Sequence, residues 1–108
     1  MRYSMTFISL LMSIAAPAAA VTEAQFDSIT QLGRLNGVAL HCQFLEQTRR
    51  MKAALVEQLP KRRELGLAFD EATNQAFIEF IDQRRQCPAD TEFKHQVERA
   101  IERLKAVY

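Results

Sequence analysis

The side chains with the widest chemical repertoire are the two cysteines and two histidines of this chain. Thiolates and imidazoles bind metals, and both types serve in catalysis. His41 and Cys42 are adjacent, so on a helix their side chains point about 100° apart. His95 and Cys87 lie in other segments. A metal site requires several ligands at compatible spacing, so the sequence predicts no metal and no cofactor.

Nucleophilic and acid–base catalysis are equally poorly supported by the sequence. Beyond residue 20 the one serine is Ser28, and it is not part of a glycine-flanked elbow. The carboxylate pairs Asp70 with Glu71 and Glu79 with Asp82 fall within a helical pattern that gives no sign of a cleft. The chain also lacks a glycine-rich phosphate loop and a His-Glu-x-x-His motif. We therefore predict that the protein is not an enzyme.

The first twenty residues have the form of an export signal. Arg2 supplies a positive start, residues 7–14 are apolar, and residues 17–20 end in small side chains suited to cleavage after Ala20. The apolar stretch is shorter than the roughly 20 residues that span a bilayer. We expect periplasmic localisation, with residues 21–108 forming a single helical domain and no membrane insertion once the signal is removed.

Two cysteines in an exported chain indicate one disulfide, between Cys42 and Cys87. Redox-active pairs usually have Cys-x-x-Cys spacing, whereas 44 residues separate these two. A structural disulfide is therefore predicted, and closure of a loop of this length corresponds to about 4 kcal/mol of stabilisation.

The charge of the mature chain is balanced. Removing Arg2 with the signal leaves 13 Lys and Arg of the original 14, against 13 Asp and Glu. A nucleic-acid-binding protein would carry a basic excess, so nucleic acid is not an expected partner.

Helix-forming residues dominate the mature chain, and no alternating strand pattern occurs. We predict an all-α fold, a small bundle of three to four helices stapled by the disulfide. A capping box at Thr22 and Gln25 starts the first helix. Asn36 and Gly37 either end it or bend it, and because the apolar phase continues we favour one long bent helix up to Pro60. Its apolar face comprises Phe26, Ile29, Leu32, Leu35, Ala39, Cys42 and Leu45.

Gly33 and Gly37 have the Gly-x-x-x-Gly spacing, which in a soluble chain indicates a notch where another helix crosses more often than a dimerisation motif. A second helix is predicted over residues 61–86 and should supply the centre of the core. Thr73 or Asn74 is expected to be half-buried and hydrogen-bonded to a neighbouring helix. The buried stripe of this helix would be Leu65, Phe69, Ala72, Ala76 and Phe80, with Phe77 and Ile81 beside it.

The last helix should begin at residues 87–90 and continue to the terminus. Pro88 would occupy the first helical position, where its missing amide is harmless, and Asp90 would face the positive end of the helix dipole.

Basic and acidic side chains are segregated along the chain. Residues 49–63 are strongly basic, whereas residues 64–82 contain carboxylates and no Lys or Arg. If the chain folds back at Pro60, the two blocks would pair across an antiparallel hairpin. The functional alternative is a patch formed by Arg49, Arg50, Arg62 and Arg63 that binds an acidic protein or an anionic surface.

Residues 87–97 resemble a segment of the HdeA-type periplasmic acid-stress chaperones. Those are small exported helical proteins whose one disulfide closes a loop of similar length. Their C-terminal helix begins soon after the second cysteine and has a Phe-Lys pair near its start, here Phe93 and Lys94. The resemblance implies a chaperone that loosens in acid: carboxylates lose their charge, the cations repel one another, and apolar faces become exposed while the disulfide limits expansion.

The mature chain has more aromatic and aliphatic surface than three or four helices can bury. That surplus predicts either a homodimer or an apolar groove for another protein. Our leading prediction is a non-enzymatic periplasmic protein that binds another protein, as an accessory subunit, an inhibitor or an immunity protein. The alternative is an acid-stress chaperone.

Overall fold

A computed structural model describes residues 20–108, and this part of the chain forms four α-helices: α1 (Glu23–His41), α2 (Leu45–Gln58), α3 (Arg63–Asp82) and α4 (Asp90–Val107). These residues contain no strand, and Cys42 and Cys87 are joined by a disulfide. The predicted all-α bundle with one disulfide is confirmed. The predicted signal peptide lies outside the described residues, except for Ala20 at their edge. Within residues 20–108, no helix is long and apolar enough to cross a membrane.

The first helix begins at the predicted capping box. The Thr22 amide donates to Oε1 of Gln25 at 3.0 Å, and the Gln25 amide donates to Oγ1 of Thr22 at 3.1 Å. The helix then passes through Asn36 and Gly37 without interruption. The interpretation that these two residues do not end the helix is therefore correct.

The prediction that this helix continues as far as Pro60 is wrong, because α1 ends at His41. Gln43 adopts a left-handed backbone conformation, with φ 60°. The Phe44 amide donates to the Ala39 carbonyl at 2.8 Å, and the Gln43 amide donates to the Leu40 carbonyl at 3.4 Å. This pair of bonds is a Schellman ending. Glycine usually occupies its left-handed position, so a glutamine there gave no sequence signal.

The boundaries of the other two predicted helices also differ. The third helix stops at Asp82, where Arg84 has φ 51° and forms a second Schellman ending, so the predicted span of 61–86 is too long at both ends. The fourth helix starts at Asp90 with Ala89 as its N-cap. Pro88 therefore precedes the cap and does not occupy the first helical position. A proline also favours extended backbone in the residue before it, here Cys87.

At the centre of the arrangement is α1, which packs against each of the other three helices, while α2 and α4 also pack together. The Nε2 of Gln25, near the start of α1, donates to the Val107 carbonyl at the end of α4. These two helices are therefore antiparallel. By contrast, α1 and α3 run parallel, since Gly33 faces Ala72 and Gly37 faces Ala76.

The predicted antiparallel pairing of α2 with α3 is wrong. Of the helices described, α3 packs only against α1, because its small residues fit the notch on α1. The basic and acidic blocks are consequently not paired across a hairpin, and no ion pair links them within residues 20–108.

The main hydrophobic core lies between α1, α2 and α4, and α3 closes one side of it. The prediction that α3 supplies the centre of the core is wrong, since Leu65 and Phe69 are its only fully buried members of the main cluster. The other buried members are Ile29, Leu32, Ala39, Met51, Ala54, Leu55, Phe93, Val97, Ala100 and Leu104.

The disulfide connects the ends of the parallel helix pair. Cys42 directly follows α1, Cys87 lies in the loop between α3 and α4, and their Cα atoms are 5.7 Å apart. The bond therefore ties the loop that follows α3 to the C-terminal end of α1.

Candidate protein-binding surface

The contact between α1 and α3 is close enough to bring backbone against backbone. A Cβ atom added to Gly33 would lie 2.6 Å from the Ala72 Cβ and 2.7 Å from the Phe69 carbonyl oxygen. One added to Gly37 would lie 2.6 Å from the Thr73 carbonyl oxygen. Only glycine permits this approach, which confirms the interpretation of the two glycines as a notch for a crossing helix.

A buried hydrogen-bond chain fixes the rotation of α3 about its own axis. The Nδ2 of Asn36 donates to Oγ1 of Thr73 at 3.2 Å, and the Thr73 hydroxyl donates to the Phe69 carbonyl at 2.9 Å. Both polar side chains are buried. The prediction of a polar link at Thr73 or Asn74 is confirmed for Thr73, whereas Asn74 is exposed.

With its rotation fixed, α3 presents an apolar surface away from α1. Three large aliphatic side chains there are about half exposed: Leu67 at 53%, Ile78 at 57% and Ile81 at 48%. Phe77 is half-buried beside them. We call Leu67, Asn74, Phe77, Ile78 and Ile81 the α3 outer face. The prediction that Ile81 is buried is wrong, because no second helix covers this side of α3.

Carboxylates surround the α3 outer face. Five exposed acidic residues occur on α3, and the one basic residue of the helix is Arg63 at its start. None of the five forms an ion pair with a residue of the described chain. The acidic residues of α3 are Glu64, Asp70, Glu71, Glu79 and Asp82.

An aromatic contact lies at the disulfide end of this region. The His41 ring is exposed, and its centroid lies 4.8 Å from that of Phe80 and 5.7 Å from that of Phe77. Within residues 20–108, no group of three His, Cys, Asp or Glu side chains is placed to hold a metal ion. The arrangement around His41 is a packing contact.

The four candidate arginines divide into two pairs. Arg49 is exposed on α2, and Arg50 lies 3.1 Å from Oε1 of Gln47 and 3.6 Å from a carboxylate oxygen of Glu98 on α4. Arg62 and Arg63 lie beyond the other end of α2, where α3 begins. From Arg50 to the end of α2 the helix rises about 12 Å.

Arg62 is near the last residue of the chain. Burial raises the pKa of the Tyr108 hydroxyl, and the positive charge of Arg62 partly opposes that shift. The two arginine pairs thus lie toward opposite ends of α2, and a binding patch formed by the four arginines stays a prediction.

A groove runs between α3 and α4, because these two helices do not pack together. Leu35 and Val38 of α1 form its floor, and two adjoining cavities of about 370 and 300 Å³ share them. Neither lining contains a serine, cysteine or histidine. The one acidic side chain in the two linings is that of Glu79.

Sequence reasoning missed the α3 outer face as a binding surface. Leu67 and Ile78 lie outside the predicted buried stripe of α3. Their separation of eleven residues, about three helical turns, was the available sequence signal that they share a face. Because this helix is predicted to supply the centre of the core, Leu67 and Ile78 look like scattered apolar positions in the sequence.

Comparisons with protein-family models, with curated proteins and with solved structures find no match to this chain.

Proposed function

We propose that this is a non-enzymatic exported protein that acts by binding another protein, as an accessory subunit, an inhibitor or an immunity protein. The observation that carries the proposal is the α3 outer face. A helix at the edge of the bundle, packed against one neighbour, holds a row of half-exposed aliphatic side chains.

Ile78 and Ile81 lie one turn apart beside the half-buried Phe77, and Leu67 lies farther along the same side of α3. Single exposed apolar side chains are common, whereas a contiguous patch with a polar rim is typical of an interaction site. Covering the exposed half of Leu67, Ile78 and Ile81 would contribute about 1 kcal/mol each. Such a gain favours a partner that lies along α3.

The disulfide supports export to the periplasm. Disulfides persist in oxidising compartments and are rare in the cytosol, and Cys42 and Cys87 are paired.

Photo-crosslinking in the cells that produce the protein tests the proposal. A benzophenone amino acid is placed at Ile78 and, as a matched control, at Val56, which is 83% exposed on α2. We expect a discrete heavier adduct from position 78, and mass spectrometry should identify one other protein in it. Equal adducts from both positions, or none from position 78, would overturn the proposal.

The alternative function is an acid-stress chaperone of the HdeA type. The disulfide favours it, because this bond would keep α1 and α3 joined while protonation of the carboxylates raises the positive charge. Against it, the one Arg–carboxylate pair linking two described helices is Arg50 with Glu98, so acid would break few contacts. Light-scattering mass and ANS fluorescence at neutral and acidic pH separate the two functions. A dimer that dissociates and binds ANS in acid would favour the chaperone.

A further inference from the structure

The α3 outer face has the dimensions of a helix-docking surface. Leu67, Asn74, Ile78 and Ile81 follow one another at spacings of seven, four and three residues, which places them in one row along the helix. The row is about 21 Å long. A second helix packs along such a row by setting its own side chains between these residues. A partner β-strand would need a free sheet edge, which a helix does not offer.

The charges beside this row indicate what the second helix carries. Glu71 lies one turn beyond Leu67, and Asp82 lies one turn beyond Ile78, so a carboxylate accompanies each half of the row. Asp70 lies between Leu67 and Asn74 on the other side. All three carboxylates are exposed and form no ion pair within residues 20–108.

A second copy of α3 is a poor occupant. Two copies packed face to face would bring together two sets of five carboxylates with few cations between them, and like charges at helix contacts repel. A helix with Lys or Arg beside its apolar row would pair with the same carboxylates. Charged rims of this kind select the partner more than they add affinity.

We infer that the α3 outer face binds a cationic amphipathic helix belonging to a different protein. The inference rests on the proposed function and specifies the partner's chemistry. The partner helix lies along α3, with an apolar row over Ile78 and Ile81 and basic side chains near Glu71 and Asp82.

Synthetic peptides provide the first test on the oxidised, full mature chain. Three fluorescent peptides of about 18 residues are used, long enough to cover the row as a helix. One is a Leu/Lys amphipathic sequence, one has Glu in place of Lys, and one has the Leu/Lys residues in scrambled order. We expect the first to bind at least about tenfold more tightly than the others by fluorescence anisotropy, and more weakly in high salt. Equal binding of the scrambled or the acidic peptide would overturn the inference.

Substitutions in the protein locate the binding. Ile78→Gln should weaken binding of the Leu/Lys peptide about tenfold, whereas Val56→Gln on α2 should leave it unchanged. The double change Glu71→Gln with Asp82→Asn should weaken it about fivefold in low salt and much less in high salt. Circular dichroism checks that each variant folds. If Val56→Gln has the same effect as Ile78→Gln, the face is misassigned.

Sedimentation of the protein without peptide tests the second copy as occupant. A monomer is expected, and a dimer that dissociates on Ile78→Gln would overturn the inference. The two proposals can fail separately. If the peptides do not bind but position 78 still crosslinks to another protein, the cationic helix is wrong and protein binding stands.

Discussion

Replacing Gly37 with alanine tests whether the close approach of α1 and α3 holds α3 in place. The new Cβ would lie 2.6 Å from the Thr73 carbonyl oxygen, 2.8 Å from the Ala76 Cβ and 2.8 Å from the Phe77 amide nitrogen. Ordinary contacts begin at about 3.5 Å. Two of these three atoms belong to the backbone and cannot rotate away, so the helices must separate by about 1 Å.

Two opposing effects set the size of the change in stability. Overpacking of this kind costs about 3 kcal/mol at the upper end of its usual range. Alanine in place of glycine within a helix contributes about 1 kcal/mol in return. The free energy of unfolding should therefore fall by about 2 kcal/mol, with a decrease in Tm of about 8–16 °C for a domain of this size.

Gly66 provides the matched control, since a Cβ added there meets nothing within 4 Å. Gly66→Ala should raise the free energy of unfolding by about 1 kcal/mol through helix propensity alone. Urea unfolding of both variants, followed by circular dichroism, measures the difference. If Gly37→Ala is as stable as Gly66→Ala, the notch does not hold α3 and the reasoning is refuted.

Four further variants test other parts of the structure by urea unfolding. Gln43→Gly and Arg84→Gly should each stabilise the protein by about 0.5–1 kcal/mol, because both positions have left-handed backbone that glycine adopts without strain; a loss of stability would contradict the two Schellman endings. Burial raises the pKa of the Tyr108 hydroxyl in the folded state. As pH rises, this hydroxyl therefore ionises first in the unfolded chain. The free energy of unfolding should fall as pH rises above about 10 and through the folded-state pKa. Tyr108→Phe should remove that decline, and a decline that persists would assign it to other groups. Replacing both Cys42 and Cys87 with alanine opens a disulfide of sequence separation 45 and should lower the free energy of unfolding by about 4 kcal/mol. A loss below about 1 kcal/mol would show that helix packing alone fixes the ends of α1 and α3.

Much of the fold could be predicted from local patterns in the sequence. The capping box at Thr22 and Gln25 depends on residues three apart, and the structure forms it as expected. The glycine notch depends on a spacing within one helix, and the disulfide on there being only two cysteines. These features need no knowledge of which helices become neighbours.

The errors arose where conformation or neighbours depended on the tertiary structure. Gln43 and Arg84 end helices in the left-handed backbone conformation, which their residue types do not predict. The packing of α3 against α1 instead of α2 is set by the shape of the notch across the bundle. The candidate site was missed for the same reason, since Ile81 appears buried if α3 is assumed to have neighbours on both sides.

The placement of α3 explains why this helix can offer a binding surface. Within residues 20–108, α3 packs against one neighbouring helix, α1, and its buried residues lie on that side. Its position is reinforced by backbone contact at Gly33 and Gly37, by the buried hydrogen bond from Asn36 to Thr73, and by the disulfide. These restraints all act on the inner side and the C-terminal end of α3, so none covers the α3 outer face. A surface held rigidly before binding loses little conformational entropy when a partner docks. The features that hold α3 against α1 are therefore those that prepare α3 to bind another helix.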